Sequence, residues 1–145
     1  MAGYAQQKLF PGFRLDLSSG VPVYRQIIDQ VTGGMAGGFL KPGDQLPTVR
    51  QLAVDLAINP NTVVRAYREL EIRGILETQQ GTGTFIGTQR PDAASAIERQ
   101  RQLNQLVGEF VAKAGAAGYA VQELIDQLQD LKADNNSTSS KKGKR

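Results

Sequence analysis

Asparagine, threonine and arginine side chains cluster in one short segment of the chain, from Asn59 to Arg65. An asparagine amide can form two hydrogen bonds with the edge of adenine, an arginine guanidinium can do the same with guanine, and a threonine offers a hydroxyl or a methyl group. Apolar residues recur in this segment with helical spacing, which predicts that the polar side chains lie on the opposite face of a helix. The candidates for reading base edges are Asn59, Asn61, Thr62 and Arg65.

The sequence also allows a purely structural role for these residues. Asn59 is a good N-cap residue, and its side chain can serve the helix, a ligand or both. Arg65 and Arg68 can form ion pairs with Glu69 or Glu71 on the helix surface. We favour contact with DNA, while the ion pairs remain the alternative.

Two helices are predicted to precede this segment and to position it. The first helix begins near Pro22 as its first helical residue and frays through the glycines of 33–38. Thr48 and Gln51 form a capping box at the start of the second helix, which is about three turns long. Arg50 lies in the first turn of this helix and can reach a phosphate or a guanine.

The third helix and the hairpin after it complete a helix-turn-helix with a wing. This helix starts at Pro60, runs to Arg73 and ends at Gly74, which is suited to a left-handed C-terminal position. Residues 75–79 and 84–87 predict two short antiparallel strands. The glycine-rich tip allows close approach to a phosphate or a minor groove, with candidate contacts at Gln80, Gly81 and Thr82.

The chain divides into four predicted parts. Residues 1–20 are an N-terminal arm with one strand over 13–17, and residues 21–89 are the winged helix-turn-helix domain. Residues 92–133 form a helical hairpin, and 134–145 form a disordered, basic tail. The fold class is therefore mainly α with a small β wing.

The C-terminal hairpin carries an apolar face that a pair of helices cannot bury by itself. Its helices are predicted over 92–114 and 121–131 from their apolar spacing. The face can pack on the winged helix of the same chain or on a second chain, and we favour the second chain. The candidate dimerisation residues are Leu103, Leu106, Phe110, Tyr119, Leu124 and Leu128.

Composition excludes several kinds of chemistry. The chain has 145 residues with neither cysteine nor histidine, so thiolate nucleophiles, Ser-His-Asp relays, disulfides and Cys or His metal sites are impossible. We expect no metal, no cofactor and no enzyme activity, because the acidic residues of the hairpin are more simply a solvated helix face than catalytic carboxylates: Glu109, Glu123, Asp126 and Asp130.

Charge and hydropathy give weaker information about partners. The net charge is +3, but the last five residues hold four of the 17 cations, and without them the chain is slightly acidic. The arginines of the helices therefore carry the DNA hypothesis, and the tail adds a nonspecific increment. No apolar run suits a signal peptide or a membrane span, so we expect a cytoplasmic protein without a membrane partner.

Residues 40–87 resemble the winged helix of GntR-type transcription regulators in three pieces, LPTVRQLA, NPNTVVRAY and GTGTF. The preceding SSGVPVYRQI resembles the YtrA and MocR branches, and the short C-terminal part resembles the dimerisation extension of the YtrA branch. Many members have arginine where Pro60 and Val64 stand and a basic residue where Gln80 stands. With these departures, the resemblance and the pattern together assign DNA contacts to Thr48, Arg50, Asn59, Asn61, Thr62, Arg65, Arg68, Gln80, Gly81 and Thr82.

The leading hypothesis is a homodimeric, sequence-specific repressor on a palindromic operator. One alternative is an architectural protein that coats double-stranded DNA through its helices and basic tail without sequence preference. Another is a protein-interaction module built on the hairpin. Two modes of regulation stay open: an unknown small-molecule effector bound between the hairpin and the winged helix, where no cluster of polar residues identifies it, and regulation by abundance without a ligand. The target genes are open, although the branch resemblance suggests transporter operons.

Overall fold

The computed structural model describes residues 12–88 and 95–132, in which five helices accompany a small three-stranded sheet. This confirms the mainly α fold with a β wing. Predictions for the start of the arm, the 89–94 connection and the tail lie outside the described residues. No described helix has the length and apolar character needed to cross a membrane. The elements are α1 (Val23–Ala36), β1 (Gln45–Leu46), α2 (Val49–Leu56), α3 (Pro60–Ile72), β2 (Leu76–Gln79), β3 (Gly83–Ile86), α4 (Ala96–Ala116) and α5 (Val121–Asp130).

Helix α1 is longer and more regular than its glycines suggest. Pro22 is the N-cap rather than the first helical residue, and its carbonyl accepts a hydrogen bond from the Gln26 amide at 3.1 Å. Gly33 and Gly34 lie inside the helix, so the predicted fraying there is wrong. Gly34 is buried, and tertiary packing thus outweighs the low helix propensity of glycine. The chain leaves the helix only at Gly37.

The strand predicted over 13–17 is wrong. Two glutamine side chains of α1 take the place of a neighbouring strand and bond to the backbone of the arm. The Arg14 amide donates to Gln30 Oε1 at 2.8 Å, and the Asp16 amide donates to Gln26 Oε1 at 2.9 Å. Because these side chains satisfy the extended backbone, the segment needs no sheet partner.

Local capping signals place α2 and α3 as predicted. The Gln51 amide donates to Thr48 Oγ1 at 3.1 Å, and the Thr48 amide donates to Gln51 Oε1 at 3.0 Å, which is the predicted capping box. Helix α2 has eight residues and is shorter than expected, because Ala57 adopts a left-handed conformation with φ 53°. Asn59 caps α3, and Pro60 is its first residue.

One core joins the three helices to the sheet. The inner face of α3 is fully buried and packs against α1 and α2. Tyr67 on this face is only 3% exposed, and its hydroxyl donates to the Pro47 carbonyl at 2.8 Å. This bond ties the recognition-helix candidate to the segment that leads into α2. The largest buried side chains are Ile27, Ile28, Val31, Leu52, Val63, Leu70 and Ile86.

We expect Tyr67→Phe to lower the free energy of unfolding by about 1 kcal/mol, because the Pro47 carbonyl loses its donor. Burial raises the pKa of the Tyr67 hydroxyl, so above pH ~10 the unfolded chain releases this proton before the folded chain does. Wild-type stability therefore falls with rising pH in that range, and the variant lacks this part of the dependence. Urea unfolding at neutral and alkaline pH measures both effects.

The exposed Tyr119 provides the control, because Tyr119→Phe removes a hydroxyl that has no bonding partner among the described residues. Equal stability losses in the two variants would contradict the role given to the Tyr67 hydrogen bond.

The wing contains one strand more than predicted. β1 pairs antiparallel with β3, with Gln45 opposite Phe85, and β2 pairs with the other side of β3. A two-residue strand is too short to show alternation in sequence, so only its partner strand reveals it. Gln45 Nε2 also donates to the carbonyl of Thr82 at 3.3 Å and thereby holds the wing tip from the side.

Helices α4 and α5 are joined by a turn over 117–120, in which Gly118 has φ 91°. Ser95 caps α4, so the helix begins later than the predicted residue 92. The predicted hairpin is not a closely packed one, since the two helices do not pack along their lengths. The end of α5 reaches α1 instead, where a Cβ placed on Gly37 would lie 2.8 Å from the Leu131 carbonyl oxygen. Most apolar side chains of both helices remain exposed.

Candidate nucleic-acid interface

The outward face of α3 carries two arginines among other polar and apolar side chains. A shallow open groove runs along this face and is lined by Asn61, Val64, Arg65, Arg68, Glu69 and Ile72. The opposite side of the helix is buried in the core, so the orientation of α3 is set by packing. A helix held in this way can present its exposed face to a DNA major groove.

The acidic neighbours on α3 are occupied elsewhere. Arg73 forms an ion pair with Glu69, and Glu71 accepts a hydrogen bond from the Thr78 hydroxyl. Neither Arg65 nor Arg68 forms an ion pair with a carboxylate of the described residues. The predicted alternative, in which Glu69 or Glu71 forms an ion pair with these arginines, is therefore not observed in the structure. Their guanidinium donors are available to a ligand.

Arg65 has one aromatic neighbour that sequence reasoning missed. Its guanidinium carbon lies over the Tyr24 ring, 3.8 Å from the ring centroid. Tyr24 is in the first turn of α1 and is far from Arg65 in sequence. The sequence shows Tyr24 only as one residue of an amphipathic helix, and no local signal reveals this partner. The packing of α1 against α3 creates the pair.

Thr48 and Asn59 cap the N-termini of α2 and α3. The Asn59 side chain accepts from the Asn61 amide at 2.9 Å, and the Thr48 hydroxyl accepts within the capping box. By contrast, the Asn61 side chain forms no hydrogen bond with any residue in the described ranges. Thr62 is half-buried at the same end of α3. Of these four residues, Asn61 is thus the freest to pair with a base.

The remaining candidates lie on α2 and at the wing tip. Arg50 is exposed in the first turn of α2 and makes no ion pair within the described part of the chain. The tip is also exposed, and Gly81 has φ 76°, a conformation that suits glycine. β2 packs against α3, so the wing is anchored to the helix. The exposed tip residues are Gln80, Gly81 and Thr82.

The fold is a helix-turn-helix followed by an anchored β wing, and two arginines on the outward face of the third helix pair with no carboxylate in the described ranges. These features define a winged-helix DNA-binding protein. Comparison with known proteins agrees with this class. Residues 23–86 match the family model of bacterial regulatory proteins, gntR family. The chain belongs to the GntR family.

Two relatives match over most of their own length. The chain is 36% identical to the HTH-type transcriptional repressor YtrA of Bacillus subtilis, over 83% of this chain and 92% of that protein. It is 40% identical to the HTH-type transcriptional regulator Rv1152 of Mycobacterium tuberculosis, over 83% of this chain and 94% of that protein. The chain is accordingly a DNA-binding transcription regulator and not an enzyme.

Solved structures show the same fold. A transcriptional antiterminator from Listeria monocytogenes EGD-e superposes with a TM-score of 0.63 at 26% identity, covering 86% of this chain and 96% of that one. YtrA from Sulfolobus acidocaldarius, a GntR-family transcription factor, superposes with a TM-score of 0.52 at 32% identity, covering 69% of this chain and 97% of that one. The C-terminal helices are thus included in the likeness to the Listeria structure.

Proposed function

We propose that this chain is a homodimeric repressor that binds a palindromic operator through α3 and the wing. The observation that carries the proposal is that the described chain has two separate surfaces without a partner. One is the arginine-bearing face of α3, and the other is the apolar face of α4 and α5. The first suits DNA, and the second suits another copy of the chain.

The DNA contacts divide by chemistry. Asn61 and Arg65 are assigned to base edges, because no described residue accepts a hydrogen bond from their side chains and because their planar groups can make two parallel hydrogen bonds. Arg50 and Arg68 are assigned to phosphates or a guanine near the same groove. The remaining contacts are proposed for the caps and the wing tip, at Thr48, Asn59, Thr62, Gln80, Gly81 and Thr82.

The apolar face needs a cover that the described part of its own chain does not supply. Leu103, Leu106 and Phe110 recur with helical spacing on α4 and are 51%, 65% and 47% exposed. The apolar surface continues around the turn onto α5. Tyr119 and Leu128 are exposed there, and Leu124 is half-buried. An apolar surface of this kind marks a protein interface. A second copy offers the same surface and can bury both at once.

Dimerisation gives the DNA site its symmetry. Two copies related by a twofold axis present two α3 helices, which read two half-sites in opposite orientation. The Bacillus relative is named a transcriptional repressor, which supports repression for this chain, and in this proposal repression acts by occupation of a promoter. In this proposal the protein works in the cytoplasm, where it reaches the chromosome.

Selection from random DNA, followed by footprinting on the gene's own upstream region, tests the proposal. We expect one enriched palindromic motif and a protected site that contains it. Uniform protection without an enriched motif would contradict it, and an enriched motif without inverted symmetry would contradict the dimeric part.

A nonspecific architectural protein is the second candidate, favoured by the four cations of the last five residues. Deleting 141–145 separates the two. We expect near-normal operator affinity and a smaller salt dependence of binding, because a tail that only neutralises phosphates adds a sequence-independent term. Titration of operator and scrambled DNA at two salt concentrations measures this, and loss of most binding to both would favour the architectural protein.

A further inference from the structure

Arg65 is held by a neighbour that leaves its hydrogen-bonding capacity intact. The contact with Tyr24 is made through the face of the ring, at 3.8 Å from the centroid. In the described parts of the chain, Arg65 donates no hydrogen bond and joins no ion pair. An aromatic face attracts a guanidinium by electrostatics and dispersion without consuming its N–H donors. A carboxylate in the same place would occupy them.

Such a contact matters because a free arginine side chain samples many rotamers. Ordering it on binding DNA costs conformational entropy, and a side chain that is already restrained loses less. Tyr24 is itself fixed, since it is half-buried and packs against the core. The ring therefore offers a rigid platform at the edge of the α3 face.

We propose that Tyr24 is a positioning residue that stacks on Arg65 in the free protein and in the DNA complex, and thereby sharpens recognition of one base pair in each half-site. This inference rests on the proposed function, in which Arg65 contacts a guanine. Tyr24 lies on α1, outside the helix-turn-helix, so specificity depends on a residue outside the recognition helix.

Tyr24→Phe and Tyr24→Leu test the role of the ring. Tyr24→Phe keeps the aromatic face, and we expect operator affinity within about 2-fold of wild type. Tyr24→Leu removes the face, and we expect affinity to fall by roughly 3- to 10-fold. The larger part of this loss should appear as weaker discrimination at the base pair that Arg65 reads. Binding to the operator and to operators changed at each position measures both.

A double-mutant cycle separates positioning from direct contact. In the Arg65→Ala background, Tyr24→Leu should cause no further loss, because its effect acts through Arg65. An unchanged loss in that background would overturn the inference and indicate that Tyr24 contacts DNA by itself. A loss in Tyr24→Phe equal to that in Tyr24→Leu would also overturn it, since the hydroxyl and not the ring would then be responsible.

A measurement without DNA controls for folding. The Arg65 Nε–H resonance should carry a ring-current shift in wild type and Tyr24→Phe and lose it in Tyr24→Leu, while the other amide resonances of α3 keep their positions. If the chemical shift of the Arg65 Nε–H were the same in wild type and in both Tyr24 variants, the stacking of Tyr24 on Arg65 would be contradicted. If Arg65→Ala bound the operator with full affinity, both the proposed base contact and this inference would be wrong. If Arg65→Ala lost affinity as expected but the Tyr24 variants acted independently of Arg65, only this inference would be wrong.

Discussion

Arg65→Ala is expected to weaken operator binding by about 1 to 3 kcal/mol per half-site and to relax specificity at one base pair. The physical reason is the loss of two parallel hydrogen bonds to a guanine edge. These bonds are possible because no described carboxylate pairs with Arg65 and because α3 is held with this face outward. Affinity should fall much less on operators in which that base pair is already changed. Fluorescence anisotropy with the operator and its single-position variants measures the difference.

Arg101→Ala is the matched control for charge. Arg101 is 80% exposed on α4 and pairs with Glu98, and helical spacing places it away from the apolar face. We expect operator affinity to stay near that of wild type. If Arg65→Ala weakened binding equally to every DNA sequence and reduced the salt dependence, Arg65 would be a phosphate contact, and its assignment to a base would be wrong.

Phe110→Lys is expected to convert the proposed dimer into a monomer. Phe110 lies in the middle of the exposed apolar face of α4, so a lysine there would place a charge in the proposed interface, where it has no partner. Sedimentation velocity over a range of protein concentrations measures the change. In the isolated chain Phe110 is already 47% exposed, so we expect the winged helix itself to remain folded.

If the chain is the proposed dimer, we expect its loss to cause a large loss of operator affinity. Two linked recognition helices bind their half-sites with an avidity that exceeds either single affinity by about 10² to 10⁴. The Phe110→Lys monomer should therefore bind the full operator no better than an isolated half-site. Gln105→Lys is the control, because it adds the same charge to the opposite side of α4. If Phe110→Lys remained dimeric, the dimer interface would lie elsewhere. The alternative, in which the apolar face packs on the winged helix of its own chain, would then be favoured.

The parts of the fold that obey local rules were predictable from sequence. The Thr48 and Gln51 capping box and the Asn59 cap depend on residues at most three positions apart. The positive φ of Gly74, at 75°, follows equally from a local requirement at a helix end. The buried stripe of α3 follows from its apolar periodicity. Interactions over such short sequence separations depend only on neighbouring residues and can therefore be predicted from the sequence.

Features that depend on distant partners were not predictable in this way. The arm alternates like a strand over 13–17, but the side chains of Gln26 and Gln30 bond to its backbone. β1 exists only because β3 offers it an edge. Gly33 and Gly34 stay helical because α1 is packed into the core. In each case an interaction between distant segments overrides the local preference.

The sequence by itself thus determined the class of protein and which face of α3 is turned outward, and it predicted the residues that would read bases. The structure decided which charges are compensated: Glu69 pairs with Arg73 one turn away on the same helix, and Glu71 accepts a hydrogen bond from Thr78 of the wing, so no described carboxylate pairs with Arg65 or Arg68. It also placed the Tyr24 ring against Arg65. Side-chain chemistry and helical spacing are local properties of a chain, whereas the stack of Tyr24 on Arg65 and the bond from Thr78 to Glu71 depend on distances that exist only after α1, α3 and the wing have packed together.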